Sequence, residues 1–80
     1  RNWDSLNEGD LMFFGYYRDG KRRIDHVAIW IGDGKFIQAS KNVRINSVYA
    51  DDPLYDKYHM EKYMESRRII GHETFGVKKL

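Results

Sequence analysis

The chain has 80 residues, a length typical of one small domain or of part of one. Its net charge of +2 is too small to indicate a nucleic-acid partner by itself, and no apolar run is long enough to span a bilayer. The absence of Cys excludes a disulfide framework and a thiolate metal site built from these residues.

The first quarter of the sequence predicts one short buried strand between two polar segments. The chain begins with Arg and shows no signal peptide, so we expect a processed, cleaved or incomplete polypeptide. Residues 1–9 are polar and rich in turn residues, and the apolar run Asp10–Phe14 then predicts a strand. Gly15–Arg23 is expected to form a loop or the tip of a strand pair, and its basic trio Lys21–Arg23 to form a solvated face.

Residues 24–40 predict a β-hairpin around Asp33-Gly34. With Gly32-Asp33-Gly34 as a three-residue loop, Ile31 lies opposite Lys35. Because side chains alternate along a strand, the hairpin then has two different faces. One face carries Val27, Ile29, Ile31, Ile37 and Ala39, and the other carries His26, Ala28, Trp30, Phe36, Gln38 and Ser40. We expect the first face to be an aliphatic core.

The second face places a histidine beside a side-chain amide. In this register His26 lies opposite Ser40, and Gln38 lies diagonally from His26, roughly 7–8 Å away, a distance that a long side chain spans. The amide oxygen can accept a hydrogen bond from one ring N–H, which directs the other ring nitrogen toward a nucleophile. The competing interpretation is a structural histidine inside a small barrel, the commoner situation for a lone histidine.

The second half of the chain predicts a strand, a helical insert and a last strand. Val43–Tyr49 alternates between apolar and polar residues, as half-buried strands do. Asp52-Pro53 is a suitable start for a helix or irregular segment over Leu54–Glu65. Arg67–Gly71 predicts the last strand, and residues 72–80 a tail. Four or five short strands joined by tight turns indicate an antiparallel sheet or a partial barrel.

Three segments together resemble the C-terminal half of an NlpC-like cell-wall peptidase domain, in the order and spacing found in that family. They are Gly9-Asp10-Leu11-Met12-Phe13-Phe14, His26-Val27-Ala28-Ile29 and Phe36-Ile37-Gln38-Ala39-Ser40. The resemblance extends over residues 5–71, and residues 55–68 look like the versions of this domain found in Bacteroides-type bacteria.

The resemblance implies an α+β, papain-like fold, of which residues 1–80 form the C-terminal part of a single domain, mainly its antiparallel sheet with one short helical insert. It implies that His26 is the catalytic base and that Gln38 orients it, at a position commonly occupied by His. Asp25 and Ser40 are the candidates for binding substrate. Asp25 alternates onto the opposite strand face, but its place at the start of the strand lets it reach the cleft.

The family cleaves peptidoglycan stem peptides, typically between γ-D-glutamate and diaminopimelate or lysine, without a cofactor or metal. The resemblance therefore implies two partners, a stem peptide and an N-terminal Cys-bearing segment of the same protein, whose helix is expected to cover the face of Ala28, Trp30 and Phe36. It implies a location in the cell envelope, periplasmic or secreted. Neither a nucleic-acid partner nor a membrane span is expected.

Two non-catalytic interpretations remain open for the chain. Without a nucleophile of its own, it could be a non-catalytic binding or scaffold module built on the sheet. A metal site formed by His26, His59 and His72 with Asp51 or Asp52 has no ligand spacing to support it.

Overall fold

The computed structural model describes residues 2–68, which form one five-stranded antiparallel sheet with a single-turn helix. A 3-10 turn at Trp3–Ser5 precedes the sheet. The elements that follow are β1 (Leu11–Arg18), β2 (Lys21–Gly32), β3 (Lys35–Ala39), β4 (Val43–Ser47), α1 (Lys57–Met60) and β5 (Tyr63–Arg67). The strand order is β4-β3-β2-β1-β5. The expected fold, mainly an antiparallel sheet with one short helix, is confirmed.

The hairpin of β1 and β2 is longer than the sequence predicts. The segment expected as a loop or tip, Gly15–Arg23, consists of the paired ends of both strands, and Arg18 pairs with Lys21. Asp19 and Gly20 close the turn with φ of 54° and 74°. Two consecutive residues in the left-handed region match the twist of a two-residue hairpin, which lets the strands continue to the turn.

The register of β2 and β3 is as predicted in the strands and different at the turn. Ile29 pairs with Ile37 and Trp30 with Phe36, but Lys35 pairs with Gly32 rather than with Ile31. The predicted three-residue loop is therefore wrong. Asp33 and the following glycine, with φ of 54° and 72°, form a two-residue turn. The extra residue on β2 is accommodated as a bulge beside that turn.

The core lies on the aromatic face of the sheet, so the prediction of an aliphatic core is wrong. Trp30 and Phe36 are 4% and 0% exposed, whereas Val27 and Ile29 are both 43% exposed. The aromatic face is covered by segments of this same chain rather than by a helix from elsewhere. Trp3 stacks on Trp30 with ring centroids 5.7 Å apart, and Leu6, Met60 and Tyr63 pack against the same cluster.

The segment after β4 contains one helical turn inside the predicted helical or irregular segment, and the end of that segment is a strand. Asp52 accepts a hydrogen bond from the backbone N–H of Leu54 at 2.8 Å, but this contact makes only a turn. The helix is confined to α1, whose N-cap is Asp56. Residues expected to continue the helix form β5 instead, because pairing with the free edge of β1 outweighs local helical preference.

The predicted last strand, Arg67–Gly71, shares only its first residue with β5. Its residues 69–71, the predicted tail and His72 lie outside the described residues. Within residues 2–68, the only helices are too short and too polar to cross a membrane.

Candidate active site

The two residues predicted as base and orienter are in direct contact. His26 on β2 and Gln38 on β3 face the same side of the sheet, and His26 Nε2 lies 2.6 Å from Gln38 Oε1. Gln38 is buried, His26 is half-buried, and the ring of Phe14 lies 5.3 Å from the imidazole, measured between centroids. The strand pairing therefore holds a rigid imidazole with one ring nitrogen engaged.

The hydrogen-bond partners of Gln38 determine which way its amide points. Its Nε2 donates to Asn46 Oδ1 at 2.8 Å and to Asp56 Oδ2 at 2.7 Å. The other end of Asn46 donates from Nδ2 to the carbonyl oxygen of Leu54 at 2.9 Å. The carbonyl oxygen of Leu54 and the ionised carboxylate of Asp56 can only accept hydrogen bonds. The side-chain amides of Asn46 and Gln38 must therefore turn their NH2 groups toward these oxygens, which fixes the orientation of both amides. Gln38 Oε1 must then accept from His26 Nε2–H, which leaves His26 Nδ1 as the basic nitrogen in the neutral ring.

Asp56 joins this network from the start of α1. Its Oδ2 accepts from His59 Nδ1 at 2.7 Å, and its Oδ1 accepts from the backbone N–H of His59 at 3.1 Å. Partial burial raises the pKa of Asp56, but the hydrogen bonds from Gln38 and His59 outweigh that effect, so the pKa lies below its ordinary value. Asp56 is therefore an ionised carboxylate at neutral pH.

His59 is a second histidine in contact with the candidate base. Its ring stacks on that of His26, with centroids 4.2 Å apart and an interplanar angle of 27°. It is buried and also meets the ring of Phe14 edge-on at 5.8 Å. Sequence reasoning found no partner for His59 and did not consider Asp56. The Asp-x-x-His spacing at a helix start was the available signal, because an N-cap carboxylate reaches the third residue of the helix.

A cleft of about 500 Å³ opens beside these rings. Its walls include His26 and both candidates for substrate binding, Asp25 and Ser40. Ser40 is exposed, just past the end of β3. Three basic side chains, Lys41, Arg44 and Lys62, also line the cleft. Gln38 lies behind the wall, so it can act on a bound molecule only through its neighbours.

A β-bulge brings Asp25 into the cleft. Phe14 pairs with His26 and Gly15 pairs with Ile24, so Asp25 is an extra residue in β2 and escapes the strict alternation of faces. A side chain at Gly15 would overlap the backbone carbonyl oxygen of Arg23, so this close approach requires glycine. Asp25 Oδ2 lies 2.7 Å from Lys62 Nζ, and this hydrogen bond raises the pKa of Lys62.

The cleft residues do not make up a metal centre. No group of three or more His, Cys, Asp or Glu side chains within residues 2–68 is arranged to hold an ion. His26, Asp56 and His59 come close together, but both histidines turn one ring nitrogen toward Gln38 or Asp56. What the arrangement can do is accept and return a proton at His26 while the surrounding groups keep the imidazole in one orientation.

Comparison with known proteins shows consistent similarity over most of the chain. The NlpC/P60 family model matches residues 1–69. The chain is 33% identical over 72 residues to the Escherichia coli protein named murein DD-endopeptidase MepH, covering 86% of this chain and 24% of that one. It is 34% identical over 67 residues to a Bacillus cereus γ-D-glutamyl-L-lysine dipeptidyl-peptidase, covering 84% of this chain and 19% of that one.

A solved structure shares the fold as well as the sequence. The crystal structure of an NlpC/P60 family protein from Bacillus cereus superposes with a TM-score of 0.58 at 34% identity, covering 85% of this chain and 21% of the other. This chain therefore spans about a quarter or less of the length of these relatives.

Proposed function

The chain belongs to the NlpC/P60 family, and from that premise we propose that it supplies the catalytic base of a cysteine peptidase that hydrolyses peptidoglycan stem peptides. The observation that carries the proposal is the 2.6 Å contact between His26 Nε2 and Gln38 Oε1. With Nε2–H donated to a buried amide, Nδ1 is the nitrogen available for chemistry. In this proposal His26 is the general base and Gln38 orients it.

The proposed reaction needs a thiol, and this chain contains none. A cysteine on another segment of the protein passes its proton to His26 Nδ1, and the thiolate attacks the carbonyl carbon of the scissile amide. The imidazolium then returns that proton to the departing amine, which leaves an acyl-enzyme. Water, deprotonated by the same nitrogen, releases the carboxylate product and restores the thiol. The buried oxygen of Gln38 accepts from Nε2–H throughout.

The proposed scissile bond joins γ-D-glutamate to diaminopimelate or lysine in the stem peptide. The names of two relatives, a murein endopeptidase and a γ-D-glutamyl-L-lysine dipeptidyl-peptidase, support this substrate class. The cleft supports it too, since Lys41 and Arg44 can attract the carboxylates of a stem peptide. Asp25 and Ser40 are the proposed polar contacts to substrate. Such a substrate places the protein in the cell envelope, either periplasmic or secreted.

The exposed side of the sheet supports a position for the thiol segment. We propose that residues 1–80 are the C-terminal part of one domain, whose Cys-bearing segment packs on the aliphatic face. Pairing places Ile29 beside Ile37, and Ile37 beside Ile45, on one side of three strands. Ile29 and Ile45 are 43% and 47% exposed, and an apolar surface that is continuous across strands indicates a packing partner.

The test is hydrolysis of purified stem peptides by the protein that carries these residues together with its thiol segment. His26→Ala is expected to abolish turnover, and iodoacetamide to inactivate the wild-type protein. Lys21→Ala, at the exposed end of the same strand, is the matched control and should retain activity. Near-full activity in His26→Ala would contradict the assignment. A folded protein that binds stem peptides without cleaving them would instead favour the non-catalytic binding or scaffold module.

A further inference from the structure

We infer that Asp56 is a positioning residue for His26 and acts on it through the amide of Gln38. The inference rests on the proposed function, in which His26 becomes positively charged during the reaction. Gln38 is neutral and supplies no negative charge to stabilise that ring, and we assign this charge to Asp56. Gln38 Oε1 accepts from His26 Nε2 at 2.6 Å, and Gln38 Nε2 donates to Asp56 Oδ2 at 2.7 Å. Base, amide and carboxylate thus form one continuous line of hydrogen bonds.

The carboxylate makes the amide a better partner for a charged imidazole. An amide whose N–H donates to an anion carries more negative charge on its oxygen, because successive hydrogen bonds polarise one another. That oxygen therefore stabilises the imidazolium of His26 more than an isolated Gln38 would. The effect is specific to the charged ring, so we expect it to contribute during proton transfer rather than during substrate binding.

Burial keeps this charge effective. The side chain of Asp56 is only 9% exposed, and the electrostatic effect of a buried charge is screened less by water. Arg44 is the nearest opposing cation, but its Nη2 lies 4.0 Å from Asp56 Oδ2 and its side chain is 52% exposed, so it offsets little of the charge. Lys62, another cation at the cleft, forms its ion pair with Asp25 at 2.7 Å rather than with Asp56.

His59 anchors the carboxylate and covers the base. His59 Nδ1 donates to Asp56 Oδ2 at 2.7 Å, and the same ring lies 4.2 Å from that of His26. His59 therefore holds Asp56 in place and covers one side of the imidazole of His26.

The test must separate positioning from the structural role of Asp56 as the helix cap. Asp56 Oδ1 caps α1 while Oδ2 serves the side-chain network. Asparagine is as good an N-cap as aspartate, so Asp56→Asn keeps the cap and removes the charge. Asp56→Ser also keeps a capping oxygen but is too short to reach Gln38. Asp51→Asn is the matched control, because Asp51 is an exposed carboxylate in the same loop.

The experiment measures stem-peptide hydrolysis by the whole protein. We expect Asp56→Asn and Asp56→Ser to lower kcat by about 10- to 100-fold, a range typical of outer hydrogen-bond partners, with KM nearly unchanged. Asp51→Asn should keep the wild-type values. Circular dichroism and thermal melting establish that each variant is folded. A kcat for Asp56→Asn within about twofold of wild type, in a folded protein, overturns the inference.

A second readout keeps the inference testable if the protein proves inactive and the proposed function fails. Two-bond proton–nitrogen correlations of the imidazole rings, recorded in the whole protein, report the tautomer directly. Asn46 keeps Gln38 Oε1 toward His26 in both proteins, so we expect the Nε2–H tautomer of His26 in wild type and in Asp56→Asn. We expect the Nε2–H proton resonance of His26 to move upfield in Asp56→Asn, because a less polarised amide oxygen accepts a weaker hydrogen bond. An unchanged Nε2–H resonance in Asp56→Asn overturns the inference.

Discussion

Gln38 and Asp56, which lie 18 residues apart in the chain, meet through a hydrogen bond of 2.7 Å between Nε2 and Oδ2. This contact connects the sheet to the short helix and completes the polar network behind His26. Among residues 2–68, no buried side-chain nitrogen or oxygen lacks a hydrogen-bond partner. Removal of one member of such a network leaves its neighbours without a hydrogen-bond partner in the interior. Substitutions here are therefore expected to change both stability and activity by measurable amounts.

The first prediction concerns the orienting amide. Gln38→Ala removes the acceptor for His26 Nε2–H, so the tautomer is no longer determined by the protein, and we expect kcat to fall by about 10- to 100-fold. The loss should be smaller than in His26→Ala, which removes the base itself. Gln38→His is the conservative comparison, because a second imidazole can donate to Asp56 and accept from His26. Stem-peptide kinetics measure kcat for each variant, and we expect Gln38→His to retain more activity than Gln38→Ala, and Gln38→Ala more than His26→Ala. Equal activity for Gln38→Ala and Gln38→His would contradict the prediction.

The second prediction concerns the pH dependence of stability. The hydrogen bonds from Gln38 and His59 keep the pKa of Asp56 below the ordinary value of about 3.9. Ionised Asp56 therefore stabilises the fold fully above that value, and the contribution is lost as the pH falls through the lower, folded pKa.

Urea unfolding of wild type and Asp56→Asn between neutral and acidic pH measures this contribution as a difference. The difference in unfolding free energy should stay constant down to about pH 5 and shrink below about pH 4. The pKa of Asp52 is also lowered, chiefly by a backbone hydrogen bond from Leu54. Because Asp52 is present in both proteins, its contribution to the pH dependence cancels in the difference. A difference that grows on acidification would contradict the prediction.

The third prediction concerns the stacked histidine. His59→Phe keeps an aromatic ring against His26 but removes the donor to Asp56 Oδ2, which leaves a buried carboxylate with one partner fewer. We expect a loss of about 1–3 kcal/mol in unfolding free energy, the usual cost of an unsatisfied buried polar group. Tyr58→Phe, at the neighbouring exposed residue, should change stability by no more than about 0.5 kcal/mol. Denaturant titrations that give equal values for the two variants would contradict this.

The fourth prediction tests whether the aliphatic face is covered in the whole protein. Ile45 is 47% exposed on this face, and Tyr17 is 69% exposed near the tip of the first hairpin. If the thiol segment packs on the aliphatic face, Ile45→Lys places a charge in an apolar interface and should lower both the melting temperature and the activity. Tyr17→Lys should change neither. A fully active and stable Ile45→Lys protein would show that this face is open to solvent.

The fifth prediction concerns the bulge that brings Asp25 into the cleft. A methyl group at Gly15 would overlap the carbonyl oxygen of Arg23, so Gly15→Ala must displace the backbone of β1 or β2. We expect a destabilisation of about 1–3 kcal/mol, as for other overpacked sites. In a crystal structure of the variant, Asp25 should be displaced from Lys62. An unchanged ion pair at 2.7 Å would contradict the proposed link between Gly15 and the cleft.

The sequence by itself determined the hairpin, its register at Ile29 and Trp30, and the closeness of His26 to Gln38. These features depend on local turn chemistry and on alternation along a strand, both of which can be read from neighbouring residues. The family was also recognisable, because three strand segments kept their order and spacing. The Bacteroides-type assignment of residues 55–68 stays a prediction.

Only the tertiary structure decided which face of the sheet is buried and what lies behind Gln38. Both faces of the hairpin are apolar enough to form a core, so the choice depended on where Trp3, Met60 and Tyr63 return to the sheet. Residues 63–67 became a strand because the edge of β1 was free to pair. Asp56 and His59 joined His26 through chain reversals that sequence spacing does not reveal, since long-range pairing outweighs the local preferences that a sequence displays.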